Sequence, residues 1–356
     1  MDPKKKLALI KSFAEEIITE EELVSLLSSK KRLIAYDGFE PSGNPHIAQG
    51  IIRAINVNKM TKAGIRFKMF VADWHAWANN KYGGDLEKIQ TCGKYLTEIW
   101  KAAGMDLDNV EFVWASDLVK DPDYWKMVMQ VARSTTVKRI MRCGQIMGRK
   151  EGEVLQSSQI LYPCMQCADI FYLKADIAQL GMDQRKVNVL ARELGEKLFG
   201  SKPVAVHHHM LLGLGEPPKT TGEDRILELK MSKSKPETAI FMTDSKKQIE
   251  EKIRKAYCPE GVALENPVLE YAKYLVFEKF KTLKVERPAK FGGSVEYQAY
   301  SDLEKDFVNK KLHPLDLKNA VAYYVDLSVD PVRKHFEKNK KAAELFKKVQ
   351  DCVITR

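Results

Sequence analysis

The chain has 356 residues, with 58 Lys and Arg against 48 Asp and Glu, a formal net charge of +10, 44% hydrophobic and 30% charged residues. That length predicts more than one domain with a large buried core, and the balance excludes the disordered and fibrous classes. No apolar run approaches the roughly 18–20 residues of a membrane span, so no membrane partner is expected. The N-terminus has acidic residues at helical spacing and no long apolar stretch, which argues against a secretory or transit peptide. Six scattered cysteines without a framework suit a reducing compartment, and the expected location is cytoplasmic.

Residues 1–30 read as an N-terminal helical segment. "RLIAYDGFE" (32–40) reads as a strand, followed by turn chemistry in "PSGNP" (41–45). A helix is expected from His46, with Ile47, Ile51 and Ile55 on one face and Gly64 at its end. "FKMFVAD" (67–73) is a second strand, followed by a helix from about 85 to 103 that Gly104 stops. "VEFVWAS" (110–116) is a third. The stretch from about 116 to 165 interrupts the alternation and reads as a helical insertion between two halves of a sheet. "ADIAQL" (175–180) and "PVAVHHHML" (203–211) supply two more strands around an amphipathic helix with Val187, Leu190, Ala191, Leu194 and Leu198 on one face. This pattern predicts an α/β fold: a doubly wound parallel sheet over 31–229, of the Rossmann-like type. A loop follows at 230–240. Residues 241–356 read as an all-helical C-terminal domain, with connections such as "ERPAKFGG" and "KLHPLDLKNAV".

Charge is unevenly spread. "RSTTVKRIMRCGQIMGRK" (133–150) holds six basic residues and no acidic one, and "RKHFEKNKKAAELFKKVQ" (333–350) holds seven against two Glu. Two separated patches suit an extended polyanion better than a small one, although each also suits a solvated helix face. "CMQC" (164–167) is a lone pair, and His207, His208 and His209 do not stand in a finger-like arrangement with it, so no metal site is expected.

A doubly wound sheet invites a nucleotide, but neither GxxxxGK[ST] nor a GxGxxG after the first strand is present. The first strand leads instead into "EPSGNPHIAQG". A helix N-terminus there would offer free N–H groups to phosphate. His46 could then donate to a phosphate oxygen as charge builds on it, or simply cap and pack. Far downstream, "LELKMSKSKP" sets Lys230, Lys233 and Lys235 among serines, either a wet loop or an anion clamp.

Together these motifs resemble the class I aminoacyl-tRNA synthetases, whose HIGH and KMSKS motifs hold ATP. Here "HIAQ" (46–49) stands for HIGH, with Ala48 for Gly and the uncharged Gln49 for the second His, while "KMSKS" (230–234) matches fully. "YDGFEPSG", "VADWHAW", "LYPCMQCADI", "GMDQRK" and "LHPLDLKNAV" narrow the resemblance to tyrosyl-tRNA synthetases of the archaeal and eukaryotic type, from about residue 30 to 335. The resemblance implies an aminoacyl-tRNA ligase using ATP with accompanying Mg2+, L-tyrosine and tRNA(Tyr), and acting as a homodimer. His46, Gln49, Lys230 and Lys233 would be catalytic. Gly43, Gly181 and Asp183 would join His46 and the two lysines around ATP. Tyr36 and Asp169 would read the phenolic hydroxyl, because phenylalanine would leave a buried polar pair unsatisfied. Tyr162, Gln166 and Gln184 would orient the amino acid. Tyr162, Gln166 and Asp169 fall at i, i+4 and i+7, on one helix face. Asp73 and His75, at the end of the second strand, either touch the ligand or pack beside it. Arg142, Arg185 and Lys186 match readers of the first acceptor base pair, and Phe291, His313 and Asp316 match anticodon readers. "LHPLD" also suits a plain helix N-terminal turn.

Three other readings share parts of this pattern. A tryptophanyl enzyme would use the same fold, but Tyr36 with Asp169 suits a phenol better than an indole. A small-molecule nucleotidyltransferase would leave the basic insertion idle. An RNA-binding paralogue without catalysis would explain the altered "HIAQ" but not the intact KMSKS.

Overall fold

The structure, a computed structural model, describes residues 1–29, 32–147, 155–219, 225, 228–233 and 235–352. Ser234 of the KMSKS stretch and residues 148–150 of the basic run lie outside the described residues. Six strands form the main sheet: β1 (Ala14–Ile18), β2 (Ile34–Phe39), β3 (Arg66–Val71), β4 (Val110–Trp114), β5 (Ile177–Gly181) and β6 (Val204–His208). Their order is β1-β6-β5-β2-β3-β4. Every neighbouring pair is parallel except β1 on β6. Every residue of β5 and β6 is buried, as expected for parallel strands covered on both faces. The chain runs from β2 outward to β4, then returns to β5 on the other side of β2. The order therefore reverses between β2 and β5, and a doubly wound sheet holds its ligand beyond the carboxyl ends of those strands.

Hydrophobic periodicity does not reveal β1. It lies inside the N-terminal segment expected to be helical, between helices Pro3–Lys11 and Glu20–Ser28. Its sequence, AEEII, carries no clean alternation, and it is a strand because the open edge of β6 pairs with it. Its two glutamates meet the histidines at the end of β6. The Glu15 carboxylate lies 2.9 Å from His209 Nδ1, and Glu16 lies 2.9 Å from His207 Nδ1.

The helical insertion comprises Pro122–Arg133, Val137–Met141 and Ser157–Tyr172, the last running beyond the expected limit. Helix Leu86–Ala102 begins on an Asp85 cap and ends before Gly104, whose φ of +85° suits glycine. It buries Trp100 against Phe39 of β2 and Phe112 of β4, at ring separations of 4.8 and 6.0 Å. Among the described residues beyond 240 the chain is mainly helical, and a short hairpin departs from the all-helical expectation. Strands β7 (Leu283–Val285) and β8 (Val295–Tyr297) pair antiparallel. The C-terminal helix Lys340–Gln350 packs inward: Tyr95 lies between Phe336 and Phe346, at ring separations of 5.2 and 5.7 Å.

His209 ties three elements together. Besides Glu15 of β1 it reaches Glu270 of helix Pro267–Tyr271 at 3.1 Å and stacks on Tyr274 at 4.7 Å. Burial would lower its pKa, but the two carboxylates outweigh burial and push it up to about 9. A histidine raised in the folded state contributes stability that is whole below its unfolded value near 6.5 and is lost as pH rises through the folded value. The midpoint of thermal unfolding should therefore fall between pH 6.5 and 9.5. His209→Gln should be less stable at pH 6.5 and should flatten that slope. An unchanged slope in the variant would show that the clamp is not the cause.

Candidate active site

At the switch point, helix Ser157–Tyr172 lays Tyr162, Gln166 and Asp169 along one buried face, as their spacing predicts. Asp169 has no exposed surface. Its Oδ1 accepts a hydrogen bond from the Tyr124 hydroxyl at 2.9 Å. Its Oδ2 lies 2.9 Å from His75 Nε2, yet the angle leaves that oxygen without a hydrogen bond among the described residues. Tyr36, from β2, shares the same apolar cluster. Burial and then the Asp169 charge push its phenol well above the ordinary range. Tyr36 and Asp169 were expected as a pair; the direct partners of Asp169 are instead Tyr124 and His75. The Tyr162 ring stands edge-on to His75 at 5.0 Å. Gln166 donates to the Gln184 side chain at 3.0 Å, and Gln184 donates to the Ile146 carbonyl at 3.3 Å. The two open positions of "VADWHAW" separate cleanly. His75 faces the pocket, whereas Asp73 accepts from the Ser116 and Trp74 amides and from Gln90, all at 3.0 Å, and serves as a structural cap.

Beside this pocket the 41–47 turn is held from several sides. Gly43, at φ +67°, donates its N–H to the Tyr82 hydroxyl at 2.7 Å. Asn44 donates to Thr243 and accepts from the Tyr95 hydroxyl, each at 2.8 Å. The Ile47 amide donates to the Ile240 carbonyl at 2.8 Å, and the Met242 amide to the Pro45 carbonyl at 2.9 Å. The helix expected from His46 differs at its start. A π-helical turn, Ala48–Ile52, precedes the α-helix Arg53–Lys62. A Cβ on Gly50 would collide with Met242, so the 240–242 segment sits directly over that turn.

His46 is buried, and its Nδ1 has no hydrogen bond among the described residues. Burial, then the charges of Lys233 and Lys230, hold its pKa well below the usual value, so the imidazole is neutral and can donate one N–H. The Gln49 side-chain oxygen is also buried without a partner among the described residues, while its backbone carbonyl takes the Trp100 N–H at 2.8 Å. Lys233 reaches across to Ser42, its ammonium on the backbone carbonyl and 3.3 Å from the hydroxyl. Burial pushes its pKa down to about 8. Lys230 pairs with Asp183 at 2.8 Å. Burial would raise the Asp183 carboxyl, but Lys230 beside it holds it below the usual value. At Gly181 a Cβ would come within 2.5 Å of Met210 and 2.8 Å of Asp183, so the backbone approach belongs to these side chains as much as to any ligand.

The motifs of the sequence passed over Asp37 and Arg53. Asp37 is fully buried on β2, with Arg53 Nε 3.1 Å away. Burial, against the pull of Arg53, pushes its carboxyl up to about 7. A signal existed: one charge inside the otherwise uncharged strand IAYDGF. Tyr124 gave no such signal, since an aromatic in an amphipathic helix reads as core.

The remaining positions lie at or near the surface. Arg142 is exposed at the C-terminal cap of helix Val137–Met141. Arg185 opens helix Arg185–Phe199, followed by Lys186. Phe291 is 60% exposed. His313 caps helix Pro314–Lys338 by accepting the Leu315 amide at 3.1 Å, with Asp316 in the first turn. Arg287 brings these two segments together, donating to the carbonyls of Gly293 at 2.7 Å and Lys311 at 2.9 Å.

A neutral histidine and two lysines converge near a strand–turn–helix over the sheet's switch point, an arrangement of the kind found in class I tRNA synthetases. The profile of the class I tRNA synthetases (W and Y) matches residues 28–327, and the chain belongs to that family, in its tyrosyl branch of archaeal and eukaryotic type. It is 50% identical to the cytoplasmic tyrosine–tRNA ligase 1 of Arabidopsis thaliana over 99% of this chain and 90% of that protein. It is 44% identical to the tyrosine–tRNA ligase of Thermococcus sibiricus across the whole of both chains. Among solved structures, the tyrosyl-tRNA synthetase of Pyrococcus horikoshii complexed with L-tyrosine superposes with a TM-score of 0.90, at 42% identity. That match covers 98% of this chain and 100% of the other.

The hydrogen bond from Tyr124 to Asp169 joins a buried neutral donor to a buried carboxyl group. Tyr124→Phe should therefore lower stability by roughly 1.5–3 kcal/mol in urea unfolding. A variant as stable as the parent would mean that Asp169 finds an equivalent partner.

Proposed function

We propose that this chain is a tyrosine–tRNA ligase that first joins tyrosine to ATP and then transfers it to the terminal adenosine of tRNA(Tyr). The observation that carries this reading is the Asp169 oxygen left without a hydrogen bond among the described residues, buried beside the cluster that holds Tyr36, Tyr124 and Tyr162. A phenolic hydroxyl can donate to that oxygen while accepting from the Tyr36 hydroxyl, and phenylalanine can do neither. Gln166 and Gln184, already bonded to one another, stand where the amino and carboxylate groups of the substrate would replace their mutual contact.

In the first step the tyrosine carboxylate attacks the α-phosphate of ATP and pyrophosphate leaves. No protein nucleophile is required, so catalysis rests on positioning and on charge stabilisation. The neutral His46 donates to a phosphate oxygen. Lys230 and Lys233 exchange their contacts with Asp183 and Ser42 for the triphosphate, and the freed Asp183 then accepts from the ribose hydroxyls. ATP brings Mg2+ with it, held on the phosphates. In the second step a ribose hydroxyl of the tRNA attacks the activated carbonyl, and AMP leaves.

Residues 31–229 serve as the catalytic unit and 241–356 as the anticodon unit. Arg142, Arg185 and Lys186 meet the acceptor end, and Phe291, His313 and Asp316, linked through Arg287, take the unstacked anticodon bases. The insertion supports a homodimer. Exposed Leu161 lies on helix Ser157–Tyr172, and exposed Trp77, Met129, Val137 and Met141 lie on helices packed against it, apolar side chains suited to a second copy. The cytoplasm is the expected compartment.

ATP–pyrophosphate exchange with each of the twenty amino acids supplied separately tests the reading. Exchange with tyrosine alone is expected, and Lys233→Ala should reduce its rate by about 10²–10³. Exchange with tryptophan would overturn the pocket assignment. Silence with all twenty, from folded protein that still binds tRNA, would favour a binding-only role.

A further inference from the structure

The N-terminal strand puts a carboxylate where the acceptor end of the tRNA is expected. Glu16 receives Arg185 Nε on both of its oxygens, at 3.0 and 2.8 Å. Glu16 is itself fixed. It pairs with His207 in the β1–β6 register, and His207 Nδ1 lies 2.9 Å from its Oε2. The other ring nitrogen of His207 faces the Asn188 amide nitrogen at 3.0 Å. A carboxylate can only accept, so the proton sits on Nδ1, aimed at Glu16, and in the neutral ring Nε2 is left as the acceptor toward Asn188. His207 and Asn188 are both buried, and Asn188 lies one turn along the same helix that Arg185 opens. The circuit from β1 through His207 and Asn188 returns to the base of Arg185.

We propose that Glu16 is a positioning residue for acceptor-end recognition, holding the Arg185 guanidinium in its RNA-reading direction; this rests on the reading of Arg185 as an acceptor contact. An arginine at a surface helix start samples many rotamers, and fixing one removes an entropy cost from binding. Glu16 uses only the Nε–H, and among the described residues no partner takes the four N–H bonds on the two Nη atoms, which leaves them for a base edge or phosphate. A bonded carboxylate also offsets part of the positive charge, which favours geometric readout over indiscriminate phosphate attraction. As a plain surface ion pair the contact would contribute almost nothing to stability. A loss of tRNA discrimination without a loss of stability is therefore the signature of positioning.

Glu16→Gln keeps the shape and most hydrogen bonding but removes the charge. Three quantities decide the matter: tyrosine-dependent pyrophosphate exchange, unfolding temperature, and kcat/KM for charging two tRNA(Tyr) transcripts that differ only by inversion of the first acceptor base pair. The expected result is roughly a tenfold narrower discrimination between the transcripts, with exchange and unfolding temperature unchanged. Arg185→Ala should narrow it at least as much, and the double variant should lose nothing further. If Arg185→Ala narrows discrimination and Glu16→Gln does not, the proposal is overturned while the reading of Arg185 stands. If Arg185→Ala leaves discrimination intact, that reading fails and the proposal fails with it. A parallel fall in exchange and unfolding temperature in Glu16→Gln would reduce the contact to a structural one and also overturn it.

Discussion

A carboxylate with no exposed surface must be compensated, or its burial costs several kcal/mol. Asp169 meets that constraint incompletely, and the pocket is organised around the shortfall. Tyr124 satisfies one oxygen, His75 approaches the other without bonding it, and Tyr36 feels the charge from β2. The elements that converge here are far apart in the chain. Helix Pro122–Arg133 brings Tyr124, the start of the helix after β3 brings His75, and the central strand brings Tyr36. Among the described residues one Asp169 oxygen is thus left one bond short inside a buried, largely aromatic cluster.

The neighbouring 41–47 turn obeys a related rule. The 41–47 turn carries few apolar residues to hold it, so backbone and side-chain hydrogen bonds do so instead, from Tyr82, Tyr95, Thr243 and the 240–242 segment. Because Tyr95 is packed between Phe336 and Phe346, the C-terminal helices support the turn from behind. The lysines of the 230–233 stretch occupy Asp183 and Ser42 in the meantime. Both ammonium groups therefore rest on local partners rather than on solvent alone.

The legible parts of the sequence were those governed by local spacing. Tyr162, Gln166 and Asp169 could be placed on one face because a helix repeats every 3.6 residues. Five of the six sheet strands were found because buried parallel strands are apolar runs between turn signals. Strand β1 was hidden because its conformation comes from pairing with β6, which no window of the sequence contains. The partnership of Tyr124 with Asp169 spans 45 positions and that of Tyr95 with Asn44 spans 51, so composition and period are silent on both. Local spacing also predicted an ordinary helix at His46, where packing of Met242 over Gly50 goes with a π-helical turn.

The most direct test of the Asp169 account is calorimetric titration of the protein and its Asp169→Asn variant with tyrosine and with phenylalanine. If Asp169 reads the phenol, the parent binds tyrosine more tightly than phenylalanine by roughly tenfold to a hundredfold or more, the cost of leaving a buried acceptor unsatisfied. In the variant that preference should shrink mainly through weaker tyrosine binding. A preference of the same size in both proteins would contradict it, because the phenol would then be read by something other than this carboxylate.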